Sequence, residues 1–375
     1  MDFSLTDEQA MLRESVEQFV SKAYTFEKRE KYSALQHGFA PENWQQFAEL
    51  GWLALPFTED DGGFDGSPIE TMLLMQEFGK GLVVEPYVAS IILAGGALKR
   101  STNNQLKQRL LPSILDGSAQ AAFAFAEAVA GYNLADISTT ATKDSGGYRI
   151  TGDKVVVLNG AAADWLLVSA RTSGDRRDAD GISLFCVPAS VDGLTRRGYP
   201  TVDGMHAAEV SFADVAVSAE NLVVAEGAAL PLIQAVIDDA TLAVSAEAVG
   251  IMEMLNSRTV EYTKTREQFG VPLSSFQALQ HRMVDMFTDF EMTRSLLLMA
   301  AIKAAESSTD AARAIAALKY QIGTAGRKLG QEAVQLHGGM GVTDELDVAH
   351  YFKRLTTIDT LFGNADYQLA RFTEQ

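Results

Sequence analysis

The apolar positions of this chain change their period twice. Just after Thr6, the residues Leu12, Val16, Phe19 and Val20 recur at helical spacing and make one stripe. Thr6 and Gln9 stand in the relation of a capping box, so a helix is expected to open there. "FAPENWQQFAELGWLAL" predicts a second helix that ends near Gly51. "TEDDGGFDGS" reads as a turn-rich loop, and "QLKQRLLPSIL" as more helix. Further on the period shortens. "YRITGDKVVVL", "DWLLVSART", "GISLFCVPA" and "AEVSFADVAV" are β-branched runs separated by Gly and Asp clusters, with "KDSGGY" as a hairpin connection. From residue 223 to the end, four long helical runs return, the content of a bundle. The expectation is an α+β multidomain fold: an N-terminal α-helical domain over 1–118, a middle antiparallel β domain over 119–222 and a C-terminal four-helix bundle over 223–375.

Composition narrows the function. Of 375 residues 47% are hydrophobic, enough for a sizeable core. A formal charge of −18 argues against nucleic-acid binding, which needs basic surface. The one cysteine, Cys186, excludes an intrachain disulfide and is expected to be a buried strand residue. The opening "MDFSLTDEQAML" has no basic and apolar leader pattern, and no run is long and apolar enough to span a membrane, so a cytoplasmic location is expected. The five histidines lack metal-ligand spacing. No G-x-S-x-G elbow or phosphate-binding G-x-x-x-x-G-K-[ST] loop occurs.

Two stretches of the last region could carry chemistry. "TREQFGVPLSSFQALQHRMVDM" (265–286) puts Arg266, Gln268 and Phe269 at one helix end and Phe276 and Gln277 at the start of the next. "QLHGGMGVTDE" (335–345) runs a helix through Gln335, Leu336 and His337 into Gly338 and Gly339, where backbone can approach a ligand closely. An arginine, amides and bare backbone suit a pyrophosphate and its ribose. The same features also read as a plain C-cap and a solvated charge.

At these residues the chain resembles the acyl-CoA dehydrogenases. "TREQFG…FQ" is similar to that family's R-x-x-F-G…Q signature, and "QLHGGMGVTDE" to its Q-x-x-G-G-x-G-x-x-x-E signature. "LGWLALPFTEDDGGFDGS" and the Gly152-x-Lys154 stretch resemble further family segments. The resemblance implies FAD as cofactor and an acyl-CoA thioester as substrate, with electrons passed to an electron-transfer flavoprotein or another acceptor. It implies α,β-dehydrogenation: a carboxylate takes the α-proton while the β-hydrogen leaves as hydride. It also implies that each FAD lies across a dimer interface. Middle-domain residues hold the isoalloxazine of their own subunit's FAD. The Arg266–Gln277 and Gln335–Gly339 stretches hold the ADP half of the neighbour's.

The departures from the family pattern are specific. Aligned on Gly363, the usual catalytic Glu position holds Phe362. The minority position, 26 residues before Arg266, holds Ala240, and the Arg that usually follows it is Thr241. The flavin-contacting Thr has become Ala126 and a Ser has become Tyr132, while Glu127 and Gly131 are kept. The usual Trp-x-Thr reads Val156, Val157, Leu158. The tail "FGNADYQL" resembles the small subunits of two-gene members of the family, which act on steroid side chains or pimeloyl-CoA. The preferred expectation is therefore one subunit of a hetero-oligomeric dehydrogenase whose homologous partner carries the base. The alternatives are a self-sufficient homo-oligomer with a relocated base, a flavin monooxygenase or oxidase on the same fold, and a non-catalytic structural subunit. For a relocated base the candidate is Glu247, seven residues after Ala240 on the same helix face, with Asp239 and Asp366 behind it.

Overall fold

The computed structural model describes residues 4–374, so the first three residues of the opening stretch lie outside it. In chain order the elements are α1 (Asp7–Ala23), α2 (Phe26–Ser33), α3 (Pro41–Glu49), α4 (Pro68–Gly81), a π-helical segment (Val88–Gly95) running into α5 (Gly96–Lys99), and α6 (Asn104–Leu115). Seven strands follow: β1 (Ala121–Ala124), β2 (Thr140–Asp144), β3 (Gly147–Leu158), β4 (Trp165–Arg171), β5 (Ile182–Pro188), β6 (Leu194–Pro200) and β7 (His206–Val217). The C-terminal part holds α7 (Leu230–Thr265), the two-residue strands β8 (Glu267–Gln268) and β9 (Val271–Pro272), α8 (Gln277–Ala305), α9 (Ala311–Gln321), α10 (Arg327–His337), α11 (Asp347–Thr360) and α12 (Ala365–Glu374). By contacts the chain divides into two compact units. One holds residues up to 31, 67–83 and 241 onward; the other holds 32–66 and 84–240.

Within the first unit the expected capping box opens α1. Thr6 N donates to Gln9 Oε1 at 3.0 Å and Gln9 N to Thr6 Oγ1 at 3.2 Å. Helices α4 and α7 touch backbone to backbone: a Cβ on Gly79 would lie 2.1 Å from Glu247 O, and one on Gly250 2.0 Å from Gln76 O. Only glycine permits that crossing, and it draws the middle of α7 deep into the unit. The third expected run is one rod, α9 and α10 joined by a π-helical turn over Ile322–Gly326. The last expected run is split into α11 and α12, because the chain turns at Phe362 and Gly363, both at positive φ.

Within the second unit the strands form one seven-stranded sheet. Four strands fall where the β-branched runs predict them, and the "KDSGGY" connection closes the β2–β3 hairpin with Asp144 opposite Gly147. The sheet is mixed rather than purely antiparallel. β1 lies parallel to β4, as does the start of the Thr140–Arg171 pairing of β2 with β4. A long stretch of chain separates β1 from β4, room for the crossover that parallel pairing needs, whereas the antiparallel β2–β3 pair is joined by a short turn. Cys186 is fully buried in β5, and burial pushes its thiol up to about 12, so it is an inert core residue.

Candidate functional site

The Arg266 and Gly338–Gly339 stretches, far apart in sequence, meet in the first unit. They line one cleft of about 530 Å³ together with Gln268, Gln335, Leu336 and His337. Its floor is ordered by a chain of local bonds. Arg266 N donates to Tyr262 O at 2.8 Å, and Leu273 N donates back to Arg266 O at 2.8 Å, which closes the β8–β9 hairpin. The Tyr262 ring stacks on His337 with centroids 4.3 Å apart, and its hydroxyl donates to His337 O at 3.2 Å. His337 Nδ1 bonds to Ala333 O at 2.8 Å; burial lowers its pKa, so at neutral pH the ring is an uncharged wall.

Recognition groups stand free above this floor. The Arg266 side chain is exposed and forms no ion pair among the described residues. Gly338 sits at φ +62, and a Cβ built on Gly338 or Gly339 would meet nothing within 4 Å, so bare backbone faces open space. A guanidinium, an amide and exposed peptide groups at one mouth match a diphosphate with its sugar, and the cleft therefore fits the ADP half of a dinucleotide.

Phe269, Phe276 and Gln277 do not line the cleft. Phe269 sits at the hairpin tip at φ +56, with 94% of its surface exposed, and meets Phe276 edge to face at 6.3 Å. Gln277 is the first residue of α8. Tyr262, Leu273, Leu279, Arg282 and Met340 line the cleft unpredicted. Tyr262 is one helical turn before Arg266, and Leu279 and Arg282 are one turn apart on α8, so helical spacing was the available signal. Arg282 is committed to Glu332.

Two of the three candidate acids, Glu247 and Asp239, are held in ion pairs, and the third, Asp366, is exposed. Glu247 is buried, and both its oxygens are taken by one guanidinium: Arg354 Nε donates to Oε1 at 2.6 Å and Arg354 Nη2 to Oε2 at 2.8 Å. Asp239 pairs with Arg100 at 2.6 Å in the second unit. Asp366 lies in the first turn of α12, and the cap is Asn364, whose Oδ1 accepts from Tyr367 N at 3.0 Å. Ala240 and Thr241 are buried.

The kept and lost residues of the second unit sit side by side. Glu127 and Lys154 form a buried pair at 2.8 Å, and Glu127 also accepts from Ser138 N (2.8 Å) and Thr139 N (3.0 Å). Burial pushes the Glu127 carboxyl up, but Lys154 and Ser138 outweigh it and hold the group down at about 2. That pair pins Ala126, whose carbonyl accepts from Val155 N at 2.9 Å. A bulge between Lys154 and Val157 then turns Val156 outward at φ +50, while Val157 is in the sheet core.

Comparison with known proteins agrees with this architecture. The N-terminal, middle and C-terminal domains of acyl-CoA dehydrogenase match residues 6–118, 122–215 and 230–375. A short-chain-specific acyl-CoA dehydrogenase of Megasphaera elsdenii is 30% identical, over 98% of each chain. The ChsE4–ChsE5 complex of Mycobacterium tuberculosis superposes with a TM-score of 0.90 at 28% identity, covering 100% of this chain and 98% of the other. PigA with FAD and proline superposes with a TM-score of 0.93 at 26% identity, covering 100% and 98%. The chain belongs to the acyl-CoA dehydrogenase family.

Proposed function

We propose that this chain is the base-less subunit of a hetero-oligomeric, FAD-dependent acyl-CoA dehydrogenase, and that its Arg266–Gly339 cleft holds the ADP half of a flavin seated on a homologous partner. Membership of the family carries the coarser statement: this is an FAD-dependent oxidoreductase acting on acyl-CoA CH–CH bonds. When bound, the flavin supplies the acceptor for the β-hydrogen. Arg266 would hold the diphosphate, and Gln335 with the Gly338–Gly339 backbone would hold the adjoining sugar. The Tyr262–His337 stack keeps that backbone in place.

The observation that carries the reading is the contrast between this complete cleft and the absence of an acid at position 362. Phe362 can neither give nor take a proton, so the α-proton needs another chain's carboxylate. Glu247 does not fill the gap, because its carboxylate is fully spent on Arg354 and lies inside the helical unit. That a similar chain comes from a complex of two different proteins, ChsE4 and ChsE5, supports this reading. The test is expression of this chain alone and with a base-bearing homologue. Flavin retention and turnover are expected only from the pair; full turnover by this chain alone would sink the proposal.

A further inference from the structure

The loop that carries Gly338 and Gly339 is bonded at both ends, and one of its anchors can take a charge. At its start Tyr262 and Ala333 hold His337. At its end, after the tight helical turn Gly338–Val342, the chain passes Asp344 and enters α11 at Asp347. Lys353 Nζ donates to Asp344 Oδ1 at 2.8 Å, and Arg258 pairs with Asp347 at 3.1 Å. His350, mostly buried in the first turn of α11, is a further anchor. Its Nε2 meets Asp344 O at 3.4 Å, and its Nδ1 meets Nη1 of the buried Arg29 of α2 at 3.1 Å. The Phe26 ring packs edge to face against it, with centroids 4.9 Å apart.

These contacts fix the protonation of the imidazole. A guanidinium has only N–H donors and keeps its proton, so His350 Nδ1 must be the acceptor. The single ring proton is therefore on Nε2, where it points at Asp344 O. A second proton on Nδ1 would set N–H against N–H and cation against cation, in a site that is only 12% exposed. The surrounding charges do not relieve this. Lys353 has the same sign as Arg29, and the Asp344 carboxylate is already bonded to Lys353 and lies 3.9 Å from Nε2. Burial, then Arg29 and Lys353, lower the His350 pKa below its ordinary 6.5, with Asp344 O and Glu30 opposing.

We infer that His350 is an acid-sensitive latch on the cleft: neutral, it ties the end of the 338–346 loop to Arg29; with a proton on Nδ1 it expels Arg29 and frees the loop that carries the two cleft glycines. Its effect on a cofactor rests on the reading given above, that the cleft holds the ADP half of a flavin. The neutral ring's stabilising contribution is complete above about pH 6.5 and is lost as pH falls through the lower folded value.

The test is hydrogen exchange of the 338–346 amides of this chain, expressed as protection so that the intrinsic pH dependence of exchange cancels. Protection is expected to fall about tenfold between about pH 7.5 and about pH 5. His350→Gln is expected to stay level, because its amide accepts from Arg29 and donates to Asp344 O without ionising. Unchanged protection in the parent, or the same fall in His350→Gln, would overturn the inference. The second result would assign the titration to His337, the other imidazole of this loop. Should His350→Gln fail to fold, imidazole nitrogen NMR shifts of the parent decide. They are expected to show the Nε2–H tautomer and a midpoint below about 6.5; an Nδ1–H tautomer or a higher midpoint would overturn the inference. FAD affinity of the assembled protein is expected to fall over the same interval. A loosening loop with level FAD affinity would count against the cleft as a cofactor site and leave the latch standing.

Discussion

Two regions of the helical unit teach opposite lessons about what a site needs. In the Arg266–Gly339 cleft the recognising groups are exposed and the floor beneath them is bonded: Arg266 and the two glycines face open space over a stacked Tyr262 and His337. At the Phe362 turn the bracing is just as complete, with Lys319 and Gln368 pinning three carbonyls, yet the side chain that it presents has no proton chemistry. The bracing of this turn therefore does not depend on proton chemistry at residue 362. The buried ion pairs make the same point. In both Glu247–Arg354 and Glu127–Lys154 the two members are buried and hydrogen-bonded to one another within the chain.

The largest expected effect separates a structural acid from a catalytic one. Arg354→Met should destabilise the protein by about 3–5 kcal/mol, because it strands the Glu247 carboxylate in the interior. The double variant Glu247→Leu/Arg354→Leu should recover most of that loss, both read from urea midpoints. If Glu247 were the base, Glu247→Gln would also cut the turnover of the folded fraction by about 10²–10⁴-fold. Next comes the cleft. Arg266→Ala should weaken FAD binding to the assembled protein by about 10–100-fold, the worth of a charge-assisted contact. Flavin fluorescence on release checks this, and an unchanged affinity would remove the cleft from the cofactor site.

The third effect is a pH window. The Glu127 carboxyl is held near 2 in the folded chain, below its ordinary 4.5, so between those values the unfolded chain binds more protons. Its stabilising contribution is complete above about pH 4.5 and is lost as pH falls toward about 2. Lys154→Met should flatten that part of the melting-temperature profile. The smallest effect on stability is expected at the hairpin tip. Phe269→Ala should change the chain's own stability by no more than about 0.5 kcal/mol, since the ring is almost wholly exposed. The same change should loosen the assembly, seen as faster dissociation in dilution experiments.

Much of the fold was legible in the sequence because periodicity reports burial directly. The capping box at Thr6, the β2–β3 hairpin and the long run of α7 all lie where their patterns put them. Strand direction was not legible, since side-chain alternation is the same for parallel and antiparallel pairs, and so β1 beside β4 went unforeseen. The cleft was legible as two motifs but not as one place. Tyr262 and Arg282 carry no motif and enter it through helix geometry alone. The partner of Glu247 was out of reach as well: Arg354 is more than a hundred residues away, and only the α7 crossing at Gly79 and Gly250 explains why that carboxylate is buried.

The most direct test of the central claim is the subunit and flavin stoichiometry of the purified assembly, measured by native mass spectrometry with flavin absorbance. The account predicts this chain together with a base-bearing homologue, with one FAD for each pair. An assembly of this chain alone, carrying one FAD per chain and oxidising acyl-CoA, would contradict it.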